Sequence, residues 1–155
     1  MSTASQRLAE LGITLPAPWA VPPQFNFVTA TVSGNLAYVS GHGPLRDGQV
    51  AYRGVVGRDY SIEQGYAAAR LTMLLMLASL QAAIGSLDRV QRIVKVFGMV
   101  NAAPDFEQHP AVINGASDLL VAVFGERGWH ARSAVGMAGL PLGIPVELEM
   151  IVEIA

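Results

Sequence analysis

Cysteine is absent from the 155 residues, which excludes disulfide staples, thiol nucleophiles and thiolate-bound metals. Lysine occurs once, at Lys95, and no basic run exists. With a net charge of −2 and a pI near 5.9, the chain has no electrostatic track for a phosphate backbone, so a nucleic-acid partner is not expected. Charge is scarce altogether, at 14%, whereas 52% of the residues are hydrophobic and the mean hydropathy is +0.39. A single domain of this length cannot hide that much apolar surface by itself, so a buried interface between subunits is the expected outlet. The opening MSTASQRLAELG lacks a basic segment followed by an apolar core, so no signal peptide and a cytoplasmic location are expected. The long apolar stretch Ala67–Ile84 carries Arg70 and Gln81 and reads as a buried amphipathic helix, not a membrane span. None of His42, His109 and His130 has a second ligand at metal spacing, so neither a metal nor a cofactor is expected.

What is present reads as one α+β domain over residues 1–155. Ser5–Leu11 can form a short helix, and Pro16–Pro23, with four prolines among eight residues, must be an extended lead-in. Phe25–Val32 and Leu36–Gly41 are strand-like runs joined through Ser33-Gly34-Asn35, where Gly34 can supply the positive φ that a two-residue hairpin loop needs. Ser40-Gly41-His42-Gly43-Pro44 ends the second run in an irregular turn. Asp47-Gly48 marks another turn, before a short strand near Val50–Val55. Ser61 with Gln64 makes a capping box for a helix that runs from Ile62 to about Ile84 and stops at Gly85. Val90–Val100 is apolar on both faces, as a central strand would be. A second helix spans about Pro110 to Phe124, with a stripe of Val112, Ile113, Ala116, Leu119, Leu120, Val123 and Phe124. The order β-β-β-α-β-α-β-β, through two crossovers, puts both helices on one face of a mixed sheet and leaves the other face without a cover.

The stretch from His130 to Glu149, HARSAVGMAGLPLGIPVELE, holds the candidate chemistry. It reads as a hairpin of Arg132–Ala138 and Val146–Ile154 around a loop punctuated by Gly139, Pro141, Gly143 and Pro145. In the second strand Val146, Leu148, Met150, Val152 and Ile154 alternate with Glu147, Glu149 and Glu153. In the first, Arg132, Ala134 and Gly136 oppose Val135 and Met137. This pattern predicts the Arg132 guanidinium on the non-core face, beside the row of carboxylates. A guanidinium matches a carboxylate ligand with paired donors and stays charged at any working pH. The structural alternative is an internal pair of Arg132 with Glu147 or Glu149.

Arg132-Ser133, then Leu140-Pro141, then Glu147 resembles the C-terminal signature of the RidA/YjgF family of reactive-intermediate (enamine/imine) deaminases, also called endoribonuclease L-PSP. The resemblance covers nearly the whole chain and is closest to the family's longer branch of about 150 residues. It implies a chorismate-mutase-like fold and a homotrimer whose sheets face the inside, with sites in the clefts between subunits. It implies that Arg132 holds the carboxylate of a small substrate and that Glu147 positions or relays a proton for the attacking water. It also implies that Ser40, Gly41 and His42 frame the pocket. His42 replaces the family's glutamine and is either a titratable ring beside the site or a satisfied loop histidine. Phe27 stands where many members have tyrosine, so it can pack against substrate but cannot orient water. Asn101 and Phe97 are expected near the pocket, and Ala134 replaces a residue that is often cysteine. The implied activity is hydrolysis of 2-imino or 2-enamino acids to 2-keto acids and ammonia. The alternatives are a trimeric protein that binds small carboxylic acids without turnover and, remotely, an endoribonuclease.

Overall fold

The computed structural model describes residues 2–155. Five strands form the main sheet in the order β1-β2-β7-β5-β6. They are β1 (Ala30–Ser33), β2 (Leu36–His42), β5 (Val90–Asn101), β6 (Ala131–Met137) and β7 (Val146–Ile154). A separate two-residue ladder pairs β3 (Leu45–Arg46) with β4 (Gln49–Val50). The helices are α1 (Ala4–Glu10), α2 (Ile62–Ile84) and α3 (His109–Phe124). α2 and α3 pack on one face of the main sheet, and α1 lies against α3.

Local chemistry explains the boundaries. Ser61 and Gln64 form both halves of a capping box at the start of α2, and Thr3 and Gln6 do the same for α1. Gly85 and Gly125 end α2 and α3 with positive φ of 87° and 60°, a conformation that excludes most side chains at little cost to glycine. Gly34, with φ of 61°, makes the tight β1–β2 turn. α2 is apolar and long enough to cross a membrane, but 61% of its most apolar window is buried within the fold, so it is the core helix. Met73, Met76, Leu77 and Leu80 are fully buried there, against a sheet face that carries Val96, Leu148, Met150 and Val152.

Three expectations for the strands are corrected. The run Phe25–Val32 is not a strand throughout, because pairing begins only at Ala30, where β1 meets β2. The stretch near Val50–Val55 does not join the sheet; only Gln49–Val50 is extended, and Val56 makes isolated bridges to Tyr60 and Ala102. Arg132–Ala138 and Val146–Ile154 are not a hairpin. β5 lies between them, parallel to β6 and antiparallel to β7. The eight residues from 138 to 145 include a helical turn at Pro141–Gly143. They are long enough to span the roughly 10 Å of two inter-strand spacings, which a two-residue hairpin loop is not. β5, with twelve residues, is the longest strand and so offers pairing to both neighbours.

Register then sorts the side chains. Residues opposite one another share a face. Val39, Met150, Val96 and Arg132 form one row, and His42, Leu148, Gly98 and Ala134 another; both rows face the helices. Glu149, Phe97 and Ser133 form a row on the bare face, and so do Glu147, Met99 and Val135.

The helix pair is held close by Gly115, where a Cβ would overlap the Tyr66 carbonyl oxygen of α2. Gly115→Ala must therefore push α3 off α2. The expected cost is on the order of 3 kcal/mol, read as a fall of roughly 6–12 °C in Tm. An unchanged Tm would show that the two helices do not touch there.

Candidate functional site

Arg132 sits near the start of β6, an edge strand, and its side chain reaches α3. Nη1 donates to Asn114 Oδ1 at 2.9 Å and to Ser117 Oγ at 3.1 Å, and Nη2 donates to the Pro110 carbonyl at 3.3 Å. All three acceptors are neutral. The ion pairs among the described residues are Arg58–Asp59 and Arg92–Glu153, so no carboxylate neutralises Arg132. The internal pair with Glu147 or Glu149 does not exist. A guanidinium has five N–H donors. With three engaged, the Nε–H and one Nη2–H are left without a partner.

Glu147 lies on the bare, non-core face, as the alternation of its strand predicts; the corrected expectation is Arg132, whose row faces the helices, so the two do not share a face. The inserted strand β5 is the reason: β6 and β7 take their orientation from β5 and not from each other. Glu147 is half-buried in the row of Met99 and Val135, three residues along β6 from Arg132. That offset is about 10 Å along the strand. Burial pushes the Glu147 carboxyl above its ordinary value, and the nearby Glu149 charge adds to the shift. Gly41 packs on it, since a Cβ at Gly41 would stand 3.0 Å from Glu147 Oε2. The pairing of β2 with β7 shifts register between Val39 and His42. This bulge turns Ser40 and Gly41 toward the bare face, where Ser40 Oγ donates to the Val28 carbonyl at 2.6 Å.

A cavity of about 620 Å³ opens on the bare face, lined by Phe27, Tyr38, Ser40, Lys95, Phe97 and Glu149 among others. It gathers three of the expected residues, Phe27, Ser40 and Phe97. Phe27 is 45% exposed and tilts against Trp19 at 5.6 Å between ring centroids.

His42 does not face this cavity. Its ring is 1% exposed on the helix side, and the satisfied-histidine reading is the one the structure supports. Nδ1 lies 2.6 Å from the Ser40 carbonyl, which can only accept, so Nδ1 carries the proton. Nε2 then accepts from Ser79 Oγ of α2 at 2.9 Å. Burial lowers the pKa of this ring, against the opposing pull of the Ser40 carbonyl. Ala134 is partly buried against the core, one alternate residue along from Arg132. Asn101 is buried and lines a different cavity of about 550 Å³, with His109, Gly136 and Met137. Among the described residues no cluster of three histidine, aspartate or glutamate side chains could share a metal ion.

Sequence reasoning missed Asn114 and Ser117, the two α3 side chains on Arg132, and Lys95, whose Nζ donates to Ser133 Oγ at 3.3 Å on the bare face. A signal existed for the first two. They are polar residues at i and i+3 of a helix whose apolar stripe faces the core, and so share one face of it.

An α+β domain with a one-sided sheet, an un-neutralised arginine on its edge strand and a desolvated carboxyl on its bare face is the class that these features define. The profile of the family described as "YjgF/chorismate mutase-like, putative endoribonuclease" matches residues 5–152, and the chain belongs to that family. Protein TCP17 of Trypanosoma cruzi is 45% identical over 148 residues, 95% of this chain and 91% of its own length. The crystal structure of Atu1372 from Agrobacterium tumefaciens, a protein of unknown function, is 45% identical with a TM-score of 0.87, covering 98% of this chain and 92% of that one. A "putative endoribonuclease" of Shewanella oneidensis is 33% identical with a TM-score of 0.93, covering 99% and 100% of the two chains.

The raised Glu147 carboxyl makes stability depend on pH. Its folded-state pKa lies above its unfolded one, so the folded state holds the extra proton in between. Stability is lost as pH rises from the ordinary carboxylate range through the raised folded value. Glu147→Gln is therefore expected to be slightly more stable than wild type at neutral pH, with the difference vanishing under acid conditions. Urea unfolding at several pH values measures this, and a variant that is less stable at neutral pH contradicts the assignment.

Proposed function

We propose that this protein hydrolyses 2-imino and 2-enamino acids to 2-keto acids and ammonia, at sites completed by neighbouring copies of the chain. The observation that carries the reading is the state of Arg132. It is half-buried, held by three neutral acceptors and unpaired with any carboxylate among the described residues, with two donors left for a ligand. A carboxylate-bearing substrate is its natural counterion.

Arg132 binds the carboxylate and fixes the adjacent C=N carbon. Glu147 takes a proton from water as the oxygen adds to that carbon, and returns it to nitrogen. The carbinolamine hydroxyl then gives up its proton, which passes through Glu147 to the nitrogen, and as the C=O bond forms the C–N bond breaks and ammonia leaves. An enamine first takes a proton at its β-carbon to become the imine. A carboxyl with a raised pKa suits this exchange, because both of its forms are accessible nearer neutrality. Within one chain Arg132 and Glu147 are on opposite sheet faces, so one small ligand cannot touch both. The bare face also exposes Tyr38 (41%) and Val135 (38%) beside Phe97 and Met99. A homotrimer with its sheets inside covers this surface and supports a site built from two chains.

Phe27 and Ala134 offer no hydroxyl or thiol, which supports the second reading, a trimer that binds small carboxylic acids without turnover. An RNA-cleaving histidine pair is disfavoured, since both ring nitrogens of His42 and of His130 are engaged in hydrogen bonds.

Competition separates these readings. An amino-acid oxidase generates the imine, semicarbazide traps it, and wild-type protein is expected to reduce the trapped product. Arg132→Ala is expected to weaken 2-keto-acid binding by roughly 10- to 150-fold, from loss of a charge-assisted hydrogen bond of about 1.5–3 kcal/mol, and to abolish the competition. If Arg132→Ala competes as well as wild type, the site is elsewhere; if wild type binds keto acids without competing, the protein is a binder. A mixture of Arg132→Ala and Glu147→Gln, unfolded and refolded together, is expected to regain activity that neither variant has alone. No recovery would place both residues in the same chain's site.

A further inference from the structure

We infer that Ser117 and His130 form a relay that positions the Arg132 guanidinium for its carboxylate ligand, so that His130 is a positioning residue for the site. The inference rests on the reading of Arg132 as the carboxylate-binding group.

The relay is built from the turn between α3 and β6. Residues Gly125–Gly128 fold this turn back on the end of α3. Gly128 is pressed against the helix so closely that a Cβ there would overlap the Leu120 carbonyl oxygen. This contact sets the position of the Gly128 carbonyl, and His130 Nδ1 lies 2.6 Å from it. A carbonyl oxygen only accepts, so Nδ1 is the protonated nitrogen and Nε2 carries the lone pair. Ser117 Oγ is 3.0 Å from Nε2 and 3.1 Å from Arg132 Nη1. Its single proton therefore goes to Nε2, which leaves an oxygen lone pair for the arginine. Every donor points one way: Arg132 to Ser117, Ser117 to His130, His130 to the Gly128 carbonyl.

Anchoring gives the relay its function. A guanidinium has only donors, so what it needs from Ser117 is an oxygen held at hydrogen-bonding distance, and an untied serine side chain can swing that oxygen to another rotamer. With its proton held by the neutral imidazole, Ser117 Oγ is fixed where its lone pair meets Arg132 Nη1. Asn114 Oδ1 accepts from the same Nη1, so both protons of that nitrogen are engaged, and Pro110 holds Nη2. The guanidinium plane is thereby fixed, with its Nε–H left for the ligand. Removing the His130 acceptor unties the Ser117 side chain, whose Oγ is then free to leave Nη1 for another rotamer, and the clamp loses its orientation without losing its charge. Half-burial and the Arg132 charge both favour the neutral ring, the first more strongly, against the opposing pull of the Gly128 carbonyl.

Four variants of the intact protein test this, with 2-oxobutanoate as the calorimetric probe. Glutamine at 130 can offer its carbonyl oxygen where Nε2 stands, whereas leucine has a similar bulk and no acceptor. His130→Leu and Ser117→Ala are expected to weaken 2-oxobutanoate binding about tenfold, the effect of one lost hydrogen bond. His130→Gln is expected to stay within about twofold of wild type, because it keeps the acceptor. A purely structural histidine would not show this rescue. If His130→Leu binds like wild type, or if the glutamine variant is no better than the leucine one, the relay is overturned. Should His130→Leu fail to fold, Ser117→Ala alone decides, and wild-type affinity in it overturns the proposal. Arg132→Ala runs alongside. If it still binds the probe, the carboxylate reading of Arg132 falls and the relay with it. If it alone loses binding, only the relay falls.

Discussion

β5 is the constraint on which the rest of the structure depends. It pairs with β7 on one side and β6 on the other, and its register decides which face every neighbouring side chain takes. Because β5 stands between them, Arg132 joins a row of core residues while Glu147 joins the bare face. The two chemically promising groups of the C-terminal segment are thus kept apart within one chain. A guanidinium and a carboxyl in contact would neutralise each other. Held apart, each keeps unsatisfied capacity, the arginine two donors and the glutamate a raised pKa.

α3 is the platform for one half of this arrangement. Its apolar stripe packs on the sheet, and Gly98 of β5 admits it closely, since a Cβ there would clash with Ile113. The polar residues at the helix margin then fall beside the edge strand β6, within reach of Arg132. Neutral acceptors satisfy a cation's geometry without cancelling its charge, and this keeps an arginine available to a ligand.

The same small device appears twice. His42 and His130 each donate from Nδ1 to the carbonyl two residues back, and each accepts at Nε2 from a helix serine, Ser79 or Ser117. In both, burial favours the neutral ring. At His42 the device closes the core, where Trp19 meets the ring edge-on at 5.2 Å between centroids. At His130 it ends on Arg132, whose Nη1 donates to the same serine oxygen. Identical hydrogen bonding therefore has different consequences, set by what the serine touches on its other side.

Much of this was legible in the chain itself. The alternation of Val146–Ile154, the capping box at Ser61, the glycine stops at Gly85 and Gly125 and the stripe of α3 are local signals, and local signals are governed by periods of 2 and 3.6 residues and by backbone freedom. Arg132 and Glu147 are singled out as chemical groups by the resemblance of Arg132-Ser133, Leu140-Pro141 and Glu147 to the family's signature, since alternation alone does not distinguish Glu147 from Glu149 and Glu153. What the chain alone could not show was adjacency. Pairing between β5, β6 and β7 joins residues far apart in sequence, and a loop of eight residues is compatible with either a hairpin or a skipped strand. Whereas the burial of His42 follows from the bulge where β2 pairs with β7, the faces of Arg132 and Glu147 and the acceptors Asn114 and Ser117 all follow from that one non-local choice. It is decided by which strand can bury the most surface between two neighbours, a quantity that exists only once the sheet is assembled.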